Sequence, residues 1–344
     1  MKGSSGQKID VKKTVEPKAK KIRVAVLMGG PSSEHEVSLK SGENVALAIN
    51  REKHDVKKVL IDKKGKWEIP PEELAKQDDV AFVALHGTYG EDGTVQSELE
   101  AVGLPYTGSN ALSSALAMNK FLSLRLLRDI GLETPLSFFV SRKEWETAPI
   151  RIFERIRYYL GYPVVIKPND NGSSVGVTIV REQNELIEAM DEVCKVSRSA
   201  LIQNFIRGIE VTCGVVDHGW SGSAFSLLPT EIVPKVSHFF DYRAKYETGG
   251  SLEITPARLP DSFIRMIQQI ALKVHKAVDA SGVSRTDMII DRHGTPHVLE
   301  INTIPGFTKA SLVPKAAEAS GMVLGDLFDI MIRGALHRSS RRGA

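Results

Sequence analysis

Near the end of the chain, residues 285–314 (RTDMIIDRHGTPHVLEINTIPGFTKASLVP) hold two carboxylates and an amide at a spacing suited to binding a metal ion and phosphate. The apolar runs Met288-Ile289-Ile290 and Val298-Leu299 flank the turn-forming residues 291–295, a pattern that predicts a β-hairpin. The midpoint of positions 287 and 300 falls between His293 and Gly294, so a turn centred there sets Asp287 opposite Glu300. Asn302, two residues on, shares the face of Glu300. Three hard oxygen donors on one face suit Mg²⁺, which keeps some water and completes its shell with substrate phosphates. The plain alternative is a solvated hairpin face. Continuation of that face into Pro305-Gly306 and a helix start at Ser311 favours the ligand site.

A second constellation joins a lysine to a glycine-rich loop. Residues 163–168 (PVVIKP) predict a strand, 169–174 (NDNGSS) a polar loop and 175–180 (VGVTIV) the returning strand. Backbone N–H groups and the hydroxyls of Ser173 and Ser174 can close over phosphates there, with Lys167 as a point charge. The same loop contains G-x-S-x-G (Gly172-Ser173-Ser174-Val175-Gly176), the spacing of a serine-hydrolase elbow. An elbow needs a helix directly after the serine, whereas VGVTIV is β-branched. A third candidate, HGTYGEDG (86–93), follows the apolar run VAFVAL, at a strand's C-terminal end where open α/β sheets hold ligands.

The elements carrying these residues follow from periodicity. IRVAVLM (22–28), a Gly29-Gly30 loop and a helix from Ser38 to about Ile49 open a βαβ unit, and strands at 56–61 and 80–85 complete a small parallel sheet. Pro31 after Gly30 leaves no GxGxxG, which disfavours dinucleotide binding. Thr94 reads as a helix cap before Gly103, and Ser109 as the cap of an alanine- and leucine-rich helix through Lys120 with a break near Asn119. The next helix reaches Asp129 before Gly131. A helix at 183–193 precedes strands at 201–205 and 211–216; free backbone groups on such a strand can pair with an adenine edge. Glu210 can take ribose hydroxyls or simply face solvent. Residues 236–255 form a long loop with aromatics and Gly249-Gly250, which suggests a lid. Residues 263–280 are an amphipathic helix, with Ile264, Ile267, Ala271, Val274 and Val278 on one face, and further helices begin near Ser311 and Leu324.

At 344 residues the chain predicts two or three domains. Its net charge of +3 gathers at the two ends, around a nearly neutral body. Basic ends could serve nucleic acid, but solubilising tails are the simpler reading. Cys194 and Cys213 form no CxxC and no ligand pattern with the histidines, which argues against zinc and a disulfide scaffold and fits a reducing compartment. No apolar run approaches the ~18 residues of a membrane span, and residues 1–21 lack the apolar core of a signal peptide.

Six segments appear in order: GGPSSEHEVSL, HGTYGEDGTVQ, YTGS with SALAMNK, VIKPNDNGSSVGV, FFDYRAKY, and RTDMIID with LEINTIPG and SLVPKAA. With them the chain resembles the D-alanine–D-alanine ligases of the ATP-grasp superfamily over roughly residues 22–322. The resemblance implies an α/β (α+β) ATP-grasp fold: an N-terminal parallel α/β substrate domain at 22–108 and two domains that clasp ATP, at 109–203 with the glycine loop and at 204–337 with the lid and Mg²⁺ site. Basic tails would occupy 1–21 and 338–344. The implied reaction phosphorylates the carboxylate of one D-alanine from ATP and lets the amine of a second displace the phosphate, for peptidoglycan synthesis. The chemistry is coherent, because a carboxylate is a poor electrophile without a leaving group and phosphoryl transfer needs charge neutralisation rather than a protein nucleophile.

By the same resemblance, two Mg²⁺ ions (or Mn²⁺) fall on Asp287, Glu300 and Asn302, and Lys120, Lys167 and Lys245 face the triphosphate with Ser174. Gln203, Asn204 and Ile206 form the adenine strand and Glu210 the ribose site. Glu34 holds the first ammonium group, linked to Ser173 and Tyr246 in closing the lid. Arg285 and the Gly306 N–H stabilise the tetrahedral oxyanion, and Ser311 with the Leu312 backbone holds the second carboxylate at a helix N-terminus. His86 lines the first-substrate pocket, or only caps its loop. A cytoplasmic homodimer acting on small molecules, with no nucleic acid or membrane partner, is implied. Asn119 replaces the family's usual Asp, and Gln203 its usual Glu, though the amide oxygen can still accept from the adenine amino group. Tyr246 favours a dipeptide over an ester with D-lactate. Ligases for other amino acids or for D-serine, a serine hydrolase and a non-catalytic ATP-grasp binder are the alternatives, the last opposed by the metal trio with Arg285.

Overall fold

The computed structural model describes residues 20–172, 176–219, 224–234 and 251–342. The first of three sheets is parallel, in the order β2-β1-β3, from β1 (Ile22–Gly29), β2 (His54–Ile61) and β3 (Val80–Val83). Central β1 has Val24, Ala25, Val26 and Leu27 fully buried, as a parallel strand covered on both faces requires. The helix after it spans His35–Ala48, three residues earlier than Ser38 suggests. Ser38 is no cap: its hydroxyl accepts from the Gly29 N–H and donates to the Ala84 carbonyl, each at 2.8 Å, pinning the helix over the sheet.

Two other expected caps also differ. Gly93, at φ 93°, takes the cap position of the Thr94–Ala101 helix. Asn110 caps the Ala111–Met118 helix through the Ser113 N–H, whereas the Ser109 hydroxyl accepts from Ser281 N–H at 3.1 Å. The hydroxyls of Ser38 and Ser109 are spent on tertiary bonds instead. The break at Asn119 is real: this residue ends one helix and caps the Lys120–Asp129 helix by accepting from the Leu122 N–H.

The second sheet is antiparallel, in the order β4-β7-β5-β6, from β4 (Ser137–Ser141), β5 (Val164–Pro168), β6 (Thr178–Val180) and β7 (Ser199–Asn204). The Leu186–Val196 helix covers it with Leu186, Ala189, Met190 and Val193. The third sheet contains β8 (Gly208–Asp217), β9 (Ala224–Ser226), β10 (Thr230–Pro234), β11 (Ser251–Ile254), β12 (Val283–Asp291) and β13 (Pro296–Asn302). Its order is β11-β10-β8-β12-β13, with β9 beside β8. The amphipathic helix, at Asp261–Ala277, buries Ile267, Ala271 and Val274 on this sheet, where Ala117, Leu124 and Leu127 of the two helices joined at Asn119 also pack.

The last two helices, Leu324–Arg342 and, before it, Leu312–Ala319, return to the first sheet. Phe328 and Phe307 meet Phe82 of β3 edge-on, with centroids 5.3 and 5.6 Å away. The final helix therefore continues through residues 338–342, expected as part of a basic tail. Arg338 ties it down by donating to the carbonyls of Tyr106 and Gly108.

Candidate active site

The β12–β13 hairpin has the register read from spacing: Asp287 pairs with Glu300 and Arg285 with Asn302. Its turn is held by Asp291, which accepts from the backbone N–H groups of Thr295 and His293 and from His297; these bonds bring its carboxyl down to about 2. Arg285, buried, donates through Nε and Nη2 to the two oxygens of Asp287 at 2.9 and 2.8 Å. Burial alone would lower the guanidinium pKa, but the charge and hydrogen bond of Asp287, with Glu300 and Glu91 behind, raise it above its ordinary value. Thr212 on β8 donates to Asp287 Oδ1 at 2.5 Å, a support that the sequence pattern did not reveal.

One face of this hairpin lines a cleft of about 940 Å³ between the second and third sheets. Asp287 and Glu300 share it with Lys120, Lys167, Gly172, Gln203, Asn204, Ile206 and Glu210, so eight residues singled out from sequence converge with Gly172 of the glycine loop. Lys120 Nζ donates to the Asn171 carbonyl at 2.7 Å and stands 3.4 Å from Glu300 Oε2. Lys167 is buried, reaching only the Leu299 carbonyl, at 3.4 Å, among the described residues; burial lowers its pKa to about 8, partly opposed by the charges of Glu300 and Asp287. Gln203 is buried on β7, and its Nε2 has no partner among the described residues. A buried amide donor directed into an apolar-walled cleft is a natural hydrogen-bonding point for a heteroaromatic ligand.

Farther along the same face, toward Arg285 and Asn302, lies a second cavity, about 1270 Å³, lined by Glu34, His86, Glu91, Arg285, Asn302, Gly306, Ser311 and Leu312 among others. Glu34 stands just before the first helix, its backbone N–H bonded to Ser32 Oγ. Its carboxylate is close enough to two loops that a Cβ on Gly87 or Gly172 would come within 3.0 and 3.1 Å of Oε2. His86 is buried, with Nε2 2.7 Å from Ser41 Oγ and Nδ1 3.6 Å from Glu91 Oε1. It lies at the cavity wall, and Glu91 belongs to the site although only its motif HGTYGEDG hinted at it. Ser311 precedes the Leu312–Ala319 helix, but its hydroxyl is shared with Thr308 rather than capping that helix. Pro314 has no N–H, so Leu312 and Val313 supply the donors of the first helical turn.

A small third cavity lined by Glu91, Lys120, Gly172, Glu300 and Asn302 touches both, so the two spaces share one wall. Asp287, Glu300 and Asn302 give two carboxylates and an amide oxygen. Asn302 Oδ1 accepts one bond, from the Ile304 N–H, and keeps a second lone pair. Hard oxygen donors without sulfur or imidazole fit Mg²⁺ better than zinc. Among the described residues no cluster of three or more His, Cys, Asp or Glu offers another metal site. Ser173, Ser174, Lys245 and Tyr246, with most of the expected lid, lie outside the described residues. The strand that follows Gly176, β6, is not the helix a serine-hydrolase elbow requires.

Residues 126–333 match the family model described as D-ala D-ala ligase C-terminus, and 23–79 with 68–109 match that of D-ala D-ala ligase N-terminus. The D-alanine--D-alanine ligase of Clostridium beijerinckii is 38% identical over 318 residues, covering 92% of this chain and 99% of that protein. The D-alanine--D-alanine ligase of Bacillus anthracis complexed with ATP superposes at TM-score 0.78 with 35% identity, over 94% of this chain and 100% of that one. VanG D-Ala:D-Ser ligase of Enterococcus faecalis superposes at TM-score 0.80 with 31% identity, over 92% and 100%.

Proposed function

The chain belongs to the D-alanine–D-alanine ligase family, and from that premise we propose that it joins two D-alanines at the expense of ATP, for a peptidoglycan precursor. ATP lies in the cleft between the second and third sheets. Its adenine meets Gln203, Asn204 and Ile206, its ribose Glu210, and its triphosphate Lys120, Lys167, Lys245 and Ser174. Asp287, Glu300 and Asn302 hold two Mg²⁺ ions, with Mn²⁺ as a substitute; when bound, the metal neutralises phosphate charge and polarises the transferring group.

The first D-alanine sits across the shared wall, its ammonium on Glu34 and its flank on His86, with Ser173 and Tyr246 closing over it. Its carboxylate oxygen attacks the γ-phosphorus and ADP leaves, giving an acyl phosphate. The second D-alanine presents its carboxylate to Ser311 and the Leu312 N–H, at a helix N-terminus that favours anions. Its amine, after giving the ammonium proton to solvent, attacks the acyl carbon, Arg285 and the Gly306 N–H stabilise the oxyanion, and collapse of the adduct expels phosphate while the new amide nitrogen gives its extra proton to solvent.

The observation that carries this reading is the shared wall. Carboxylates suited to metal and phosphate face one cavity, and Arg285, bonded to one of them, faces the other. A phosphoryl group and an acyl group are thereby brought within reach of each other. A homodimer and a cytoplasmic location are part of the same proposal. The free thiols of Cys194 and Cys213 fit a reducing compartment, and no described helix is long and apolar enough to cross a membrane.

The deciding assay measures ADP release from MgATP with D-alanine, D-serine, D-lactate and L-amino acids, alone and in pairs. D-Alanine alone is expected to drive release with one dipeptide formed per ADP, and chelating Mg²⁺ to abolish it. Release no greater than buffer with D-alanine present overturns the proposal. A requirement for D-serine beside D-alanine moves the acceptor toward that named for the Enterococcus relative.

A further inference from the structure

We propose that Ser41 and Asn44 are positioning residues for the ligation step, acting through Phe307 to fix the oxyanion donor at Gly306; this rests on the role given to Gly306 above. The Gly306-Phe307 segment follows β13 and so belongs by sequence to the third sheet, yet its attachments run to the first. Ser41, fully buried, accepts from the Phe307 N–H at 3.3 Å. Asn44 Nδ2 donates to the Phe307 carbonyl at 2.5 Å. The two residues are three apart in the His35–Ala48 helix and therefore share one face. The Phe307 ring is 1% exposed, edge-on to Phe82 and Phe328 at 5.6 Å from each. Backbone donor, backbone acceptor and side chain of one residue are all held by or beside the first sheet.

Gly306, immediately before this anchor, has little room: a Cβ there would come 2.6 Å from Ser311 Oγ. Ser41 also links this anchor to the second cavity, through its 2.7 Å contact with His86 Nε2. The Glu91 carboxylate near Nδ1 favours a proton there, so Nε2 accepts the Ser41 O–H while Ser41 Oγ accepts the Phe307 N–H. The Ser41 hydroxyl then both donates and accepts. The other oxyanion donor, Arg285, is fixed independently by Asp287 on the third sheet. The two donors thus stand on different bodies of the molecule, and the Ser41–Asn44 clamp sets the distance between them. Oxyanion stabilisation depends on donors being placed before charge develops, so a displaced donor costs rate rather than substrate affinity.

Two substitutions test this. Asn44→Leu keeps the shape of the side chain without a donor for the Phe307 carbonyl, and Ser41→Ala removes the acceptor for its N–H. Each is expected to lower kcat for dipeptide formation by about tenfold or more, with KM for ATP held within about twofold. A cooperative thermal transition above the assay temperature should show Asn44→Leu folded; should Ser41→Ala fail to fold, Asn44→Leu decides by itself. An unchanged kcat in folded Asn44→Leu, or a fall in kcat matched by an equal rise in KM for ATP, overturns the clamp. Absence of D-alanine-dependent turnover in the parent protein would instead overturn the functional reading on which the clamp rests.

Discussion

At the nucleotide end of the β12–β13 hairpin a buried lysine, Lys167, has only a distant carbonyl as hydrogen-bond partner among the described residues, whereas toward the amino-acid cavity the buried Arg285 is already bonded to both oxygens of Asp287. Burial acts on both cations, but only in the arginine is it outweighed, because a carboxylate stands in contact. Lys167 is left with a pKa of about 8, a charge that an arriving triphosphate would complete. The contrast separates a region that gains its electrostatic partner from the ligand from one organised in advance. Binding and catalysis make those different demands: a ligand can bring its own charge, but an oxyanion lasts too briefly to organise its own donors.

The strongest way to break this contrast is Arg285→Gln. Loss of a preorganised donor predicts a fall in kcat of about 10²-fold to 10³-fold. The orphaned Asp287 predicts a loss of roughly 3 kcal/mol in folding stability, read by denaturant unfolding. A fall in kcat below tenfold would mean that Arg285 is not an oxyanion donor.

A smaller effect sharpens the nucleotide side. Lys167 has a folded pKa of about 8, below its ordinary 10.5, so between those values the unfolded chain holds more protons and this group's contribution to stability rises with pH. In the folded chain its positive charge is lost as pH rises through about 8. ATP affinity should therefore weaken by about fourfold from pH 7 to pH 8.5, and MgATP binding at the higher pH should take up protons, measurable by calorimetry in buffers of different ionisation enthalpy. In Lys167→Arg, whose charge persists, the pH dependence should flatten; a parent protein with flat affinity would remove Lys167 from the phosphate site.

The smallest effect concerns the support of Lys120. Asn119 caps the following helix and accepts from Asn169 Nδ2 at 3.1 Å, so Asn119→Ala should cost about 1 kcal/mol in thermal unfolding while Asn119→Asp, another good cap, costs much less. Equal losses in the two variants would show that the cap is not what Asn119 supplies.

Much of the site was legible because its information is local. A hairpin with one turn has one partner for each residue, so the pairing of Asp287 with Glu300 follows from counting. The alternation of side chains across a strand likewise puts Arg285 beside Asp287. Less was legible where a local signal has two uses. Ser38, Thr94 and Ser109 look like helix caps, but Ser38 and Ser109 bond across the fold and Gly93 takes the place of Thr94. β4, the short segment SFFVS, becomes a strand only because β7 pairs with it. Residues 338–342 read as a basic tail because charge dominates their composition, yet the helix that contains them is seated on the first sheet by Phe328 and Arg338.

The sequence by itself determined the chemical groups, the hairpin that aligns them and the family to which they belong, since these rest on residue type and on periods of two or a few residues. Only the tertiary structure decided that the Gly306 segment is carried by the first sheet's helix, that Glu91 and Thr212 support the site, and that two cavities meet at one wall. The physical reason is that burial of apolar surface is non-directional. Many packings would hide Phe82, Phe307 and Phe328, and the one adopted is selected by the sum of contacts across the whole chain rather than by any stretch of it.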